Sequence, residues 1–143
     1  MKILKKSTAQ LLELFKKSNN IKDCINSNSD ELICDNPCKH LEETIEQKGL
    51  KKSDVIRKSE IERHYAYQIL SGVRKASRDK IIMLCFGMEL NEEETQRMLK
   101  TFSMPTLYAR NRRDSVVLFA IEKHLSVIEM NELLFELNLN LFS

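Results

Sequence analysis

Glycine and proline are scarce in this chain, three and two in 143 residues, and tryptophan is absent. An all-β protein needs many tight turns, and turns draw on glycine and proline, so the shortage disfavours that class. It also excludes collagen-like and flexible-linker composition. The longest near-apolar run, Ile81 to Met88, is far short of the roughly 20 residues that cross a bilayer. No apolar segment follows the charged start Met1-Lys2-Ile3-Leu4-Lys5-Lys6, because Glu13, Lys16 and Lys17 interrupt it. A cytoplasmic protein is expected on that ground.

Neither sign of charge dominates, with 23 Lys and Arg against 21 Asp and Glu. The distribution is more telling. Residues 50–80 carry Lys51, Lys52, Arg57, Lys58, Arg63, Arg74, Lys75, Arg78 and Lys80 against Asp54, Glu60, Glu62 and Asp79, a local net charge of +5. Residues 1–49 are neutral, 81–104 are −2, 105–115 are +2 and 116–143 are −3. A local basic patch is the electrostatic footprint of phosphate contact, although a solvated basic face has the same composition.

The cysteines are Cys24, Cys34, Cys38 and Cys85, expected as reduced thiols. Cys34, Cys38 and His40, with Cys24, bring four zinc-type ligands into one stretch. Structural zinc sites favour two separated Cys-x-x-Cys pairs, however, and Asp35-Asn36-Pro37 reads more simply as a helix entry. No metal and no cofactor is expected, and Cys85 belongs to an apolar helical run.

Apolar spacing is helical almost throughout. Leu11, Leu12, Leu14 and Phe15 form one stripe behind Ser7 as N-cap. Ile21 to Ile25 is a short turn of helix, and Asn26-Ser27-Asn28-Ser29 a polar loop. Leu41, Ile45 and Leu50 mark a helix after Pro37, ended by Gly49. Ser53 is expected to cap a helix with Val55 and Ile56, and Glu62 to Leu70 to form a second short helix. Asp79–Met88, Glu92–Phe102, Asp114–Lys123 and Ile128–Leu137 complete the series. A repeat is visible at an offset of 35: Arg78-Asp79 matches Arg113-Asp114, Leu90-Asn91 matches Leu125-Ser126, and the correspondence runs to Met104 and Leu139. Two helical hairpins that bury their stripes against each other are implied.

Residues 50–90 place in order a short helix, a turn, a helix (62–70) ending in Ser71-Gly72, the basic loop Val73-Arg74-Lys75 and an apolar helix. This order resembles the phage-repressor (Cro/XRE-like) helix-turn-helix family of transcriptional regulators. The resemblance implies an all-α, lambda-repressor-like bundle. An N-terminal helical extension (1–36), a DNA-binding domain (37–104) and a C-terminal helical hairpin (105–143) would make up the chain. Glu60 stands where the family often has glycine, at a cost in strain. Ile56 and Ala66 exchange the family's small and large partners, and its frequent proline is missing at Ala76.

A helix in the major groove needs long hydrogen-bonding side chains on its outer face. Arg63 and Tyr67, and likewise His64 and Gln68, are four apart and share one polar face, with Ala66 and Ile69 inward. These four are the candidate base contacts, Tyr67 reaching a phosphate or a thymine methyl. Tyr65 is expected to pack rather than touch DNA. The resemblance assigns phosphates to Lys51, Lys52, Ser53, Arg74, Lys75 and Arg78. Glu60 and Glu62 oppose DNA mildly, although Glu62 can cap the helix.

An enzyme is not expected. The chain has no glycine-rich phosphate loop, nucleophile elbow or HExxH pair, and His40, His64 and His124 are scattered. The competing reading is a protein-interaction module on the same scaffold, because residues 133–142 carry more apolar side chains than one hairpin readily hides. A homodimer serves either reading, no small-molecule ligand is legible, and the loop Arg110-Asn111-Arg112-Arg113 is left open between DNA, an acidic partner and water.

Overall fold

Short polar residues fix where most helices begin. The computed structural model describes residues 6–27 and 36–143, and these hold nine helices and no strand. The chain divides into two units, residues 1–35 and 36–143, so the segments expected as 37–104 and 105–143 lie together in the second. In the first unit α1 (Thr8–Lys17) starts at a capping box: Ser7 Oγ accepts the Gln10 N–H at 3.1 Å while the Gln10 side chain accepts the Ser7 N–H at 2.8 Å. α1 buries none of its residues. α2 (Ile21–Ser27) continues through the expected start of the polar loop, whose remainder, with Cys34, lies outside the described residues.

The second unit comprises α3 (Pro37–Gln47), α4 (Lys52–Ser59), α5 (Arg63–Ser71), α6 (Arg78–Gly87), α7 (Glu92–Thr101), α8 (Arg112–Glu122) and α9 (Val127–Glu136). Gly49 ends α3 at φ +66, as its sequence position predicts. One expected cap is wrong. Ser53 lies inside α4, whose N-cap is Lys51 without a side-chain bond. The helix starts early because the Lys51 carbonyl already accepts the Asp54 and Val55 N–H groups, both at 3.1 Å.

α6 is apolar on nearly every side, and Ile81 to Cys85 are all buried. α4 lies on it at backbone distance. A Cβ on Gly87 would collide with the Val55 carbonyl oxygen and come within 3.2 Å of Ser59. Leu41 and Ile45 of α3, Val55 and Ile56 of α4, and Ala66 and Ile69 of α5 belong to the same core as α6. At an open helical position, alanine for glycine would gain about 0.5–1 kcal/mol, but overpacking against rigid backbone costs about 1–3 kcal/mol. Gly87→Ala is therefore expected to destabilise the chain by about 1–2 kcal/mol in urea unfolding. A gain in stability would show that α4 does not sit so close.

The 35-residue echo is three-dimensional and longer than the sequence match. Glu89 and His124 both take φ 56°, and Ser103 and Asn138 take 56° and 58°. Leu90 N–H reaches the Cys85 carbonyl at 3.0 Å, and Leu125 N–H reaches that of Ala120 at 2.9 Å. The Gln96 amide pairs with both backbone groups of Leu107, and Asn131 does the same with Phe142. Arg78 Nε donates to the Pro105 carbonyl and Arg113 Nε to that of Asn140, each at 2.9 Å. Equivalent sequence positions thus make equivalent bonds out to residue 142.

The two copies are then crossed. Arg78 forks onto Asp114 at 3.0 and 3.1 Å, and Arg113 forks onto Asp79 at 2.8 and 2.9 Å. Bidentate pairs of this kind fix geometry as well as energy. The Arg78–Asp114 side chains are 24% and 10% exposed, so removing one partner strands a charge in poor solvent. Arg78→Ala is expected to cost about 2–4 kcal/mol by chemical denaturation. A cost under about 0.5 kcal/mol would mean the pair is screened like a surface bridge.

Candidate functional site

The turn between α4 and α5 is three residues long and is tied from within. Buried Ser59 donates its hydroxyl to the Ile56 carbonyl at 2.6 Å and accepts the Ile61 N–H at 3.3 Å. Glu60 takes the left-handed conformation, φ 62° and ψ 14°, the strained position that its place in the sequence suggests. Ile61 then drops into the core, which fixes where α5 starts.

α5 buries Ala66, Ile69 and Leu70. Arg63, His64, Tyr67 and Gln68 are all exposed on the opposite side, so the structure brings the four candidate base contacts onto one open face. The Arg63 guanidinium lies 5.8 Å from the Tyr67 ring centre. Tyr65 is half-buried, and its ring lies under two cations, Arg74 at 4.6 Å and Lys80 at 5.0 Å. The Arg74 N–H returns to the Gln68 carbonyl at 3.1 Å, which folds the basic loop back beside α5.

Of the candidate phosphate contacts, Lys51, Ser53, Arg74 and Lys75 are exposed. Lys52 is exposed too, with its ammonium 3.0 Å from Glu42. Arg78 is different. Its guanidinium is occupied by Asp114 and by the Pro105 and Thr106 carbonyls, so it has little left to offer a phosphate and drops out of the set.

Two cations at this face were not picked from the sequence. Arg57, with its side chain 71% exposed, lines a groove of ≈ 530 Å³ between α4 and α5 together with Ser53, Glu60, Arg63 and Tyr67. The alternation of buried Val55, Ile56 and Ser59 with exposed Ser53 and Arg57 gives the signal that would have found it. Lys80 joins through Tyr65, a contact that no sequence spacing reveals.

The face has an acidic edge. Glu62 is the N-cap of α5, its two carboxylate oxygens accepting the His64 N–H at 3.0 Å and the Tyr65 N–H at 2.9 Å. Those two backbone bonds hold its carboxyl below the usual glutamate range. The stabilisation is complete above the ordinary glutamate pKa and fades as pH falls through the lowered value. Glu62→Gln, which removes the titration, is expected to flatten the loss of α5 amide protection in that acidic window. An unchanged profile would remove Glu62 from the capping role.

Two of the thiols, Cys38 and Cys85, are poorly suited to metal or redox chemistry. Burial pushes Cys85 up to about 12, and partial burial, aided by Glu42, raises Cys38. Among the described residues, no three His, Cys, Asp or Glu side chains are grouped to hold a metal ion. Nor is any helix among them long and apolar enough to cross a membrane. Comparison with known proteins gives no match to a family model, a curated protein or a solved structure.

Proposed function

We propose that this chain is a sequence-specific double-stranded DNA-binding protein, a cytoplasmic transcriptional regulator of lambda-repressor-like helix-turn-helix type. α4 and α5 form the motif and α5 enters the major groove. The observation that carries this reading is the outward face of α5, where Arg63, His64, Tyr67 and Gln68 stand exposed, with exposed Lys51 and Lys52 before them in the chain and exposed Arg74 and Lys75 after. Arg63 suits the O6 and N7 of guanine and Gln68 the edge of adenine, with His64 beside them. Lys51, Lys52, Ser53, Arg74 and Lys75 hold the backbone. Two copies on half-sites about one helical turn apart strengthen a weak monomer's grip, so a homodimer belongs to the proposal. No catalytic role is assigned.

A protein-interaction module is the second reading, favoured by one observation. Ile128 and Phe135 on α9 are 55% and 73% exposed, an apolar surface that DNA binding does not use.

Binding of duplex DNA across a salt series separates the two. The DNA reading expects steep salt dependence. Lys75→Ala should lower the slope of log K against log salt by about 0.9 and weaken all sequences alike. Arg63→Ala should instead cost about 1–3 kcal/mol on a site selected from a random pool and relax base preference there. Salt-insensitive or absent binding, or no effect of either substitution, contradicts the DNA reading.

A further inference from the structure

The crossed arginine–aspartate pairs place the start of α8 beside the start of α6. Arg78 of α6 reaches Asp114 of α8 at 3.0 Å, and Arg113 reaches Asp79 at 2.8 Å. Arg112 lies two residues before Asp114, within about 8 Å along the chain, and Arg110 two residues further back. On the other side of the junction, Lys80 shares the Tyr65 ring with Arg74, next to Lys75.

The acids of this region are already neutralised. Within residues 73–80 and 105–115 the only carboxylates are Asp79 and Asp114, and each has both oxygens on a guanidinium. The charge that remains is positive: Arg74, Lys75, Lys80, Arg110 and Arg112. Arg110 and Arg112 are exposed and have no ion-pair partner among the described residues. Tyr108, 60% exposed, stands next to them.

We propose that Arg110 and Arg112 form a second DNA-backbone contact, extending the cations around α5 and supplied by the segment that leads into the second copy of the repeat. Resting on the DNA reading above, it extends the footprint beyond α4 and α5. Duplex DNA presents about one phosphate per 1.7 Å of axis, so a strip of cations meets several at once. The Arg–Asp pairs act as positioning groups. They contribute no net charge to the strip, but they hold the start of α8, which follows Arg110, against the start of α6, which follows Arg74 and Lys75 in the chain.

The test uses the full chain, a duplex of random sequence and a selected site, with binding followed from 50 to 200 mM salt. The double variant Arg110→Ala/Arg112→Ala should lower the slope by about 1.8 on both duplexes and leave their affinity ratio unchanged. Arg110→Lys/Arg112→Lys should keep the slope, because lysine retains the charge. If the alanine pair leaves the slope intact while Lys75→Ala lowers it, the second contact is wrong and the DNA reading stands. Loss of slope in the lysine pair also overturns the contact, since charge alone should suffice. If the unaltered chain fails to bind duplex DNA, both ideas fall together.

Discussion

The contact between the backbones of α4 and α6 at Gly87 and Val55 is the constraint on which the second unit depends. A side chain at Gly87 would strike the Val55 carbonyl, and its absence lets α4 settle onto a helix that is buried on nearly all sides. Once α4 is seated, buried Ser59, left-handed Glu60 and Ile61 leave little freedom in where α5 points. The exposed face of α5 thus follows from the packing of its two neighbours in the chain, α4 on α6.

A second constraint joins the copies of the 35-residue unit. Each supplies an arginine and an aspartate at its helix start, and each arginine takes the other copy's aspartate. The copies nevertheless differ where one is covered and the other is not. Leu84 on α6 and Met88, its C-cap, are buried, whereas their counterparts Phe119 on α8 and Lys123, its C-cap, are exposed, the ammonium 5.9 Å from the ring.

Helix positions were legible from the apolar period; in the fold Ser77, Asn91, Asn111 and Ser126 all accept first-turn N–H groups, so capping agrees with it. The inward turn of Ala66 and Ile69 was equally plain from spacing. Ser53 misled because a good capping residue was present while the backbone started its helix at Lys51, where no side chain announces it. Arg78 misled for a different reason. Its basic neighbours suggested phosphate, and only the folded chain brings Asp114, 36 residues away, onto its guanidinium. Lys80 was invisible on the same grounds, since its partner Tyr65 is on another helix. Local spacing records what one helix does; pairing between helices is written in three dimensions.

Amide and side-chain chemical shifts of the full chain, followed as duplex DNA is added at low salt, address the role of α5 most directly. Arg63, His64, Tyr67 and Gln68, together with the 73–75 loop, are expected to shift first and furthest. Shifts that leave α5 untouched, or that gather instead around Ile128 and Phe135, would contradict a groove-binding role for that helix.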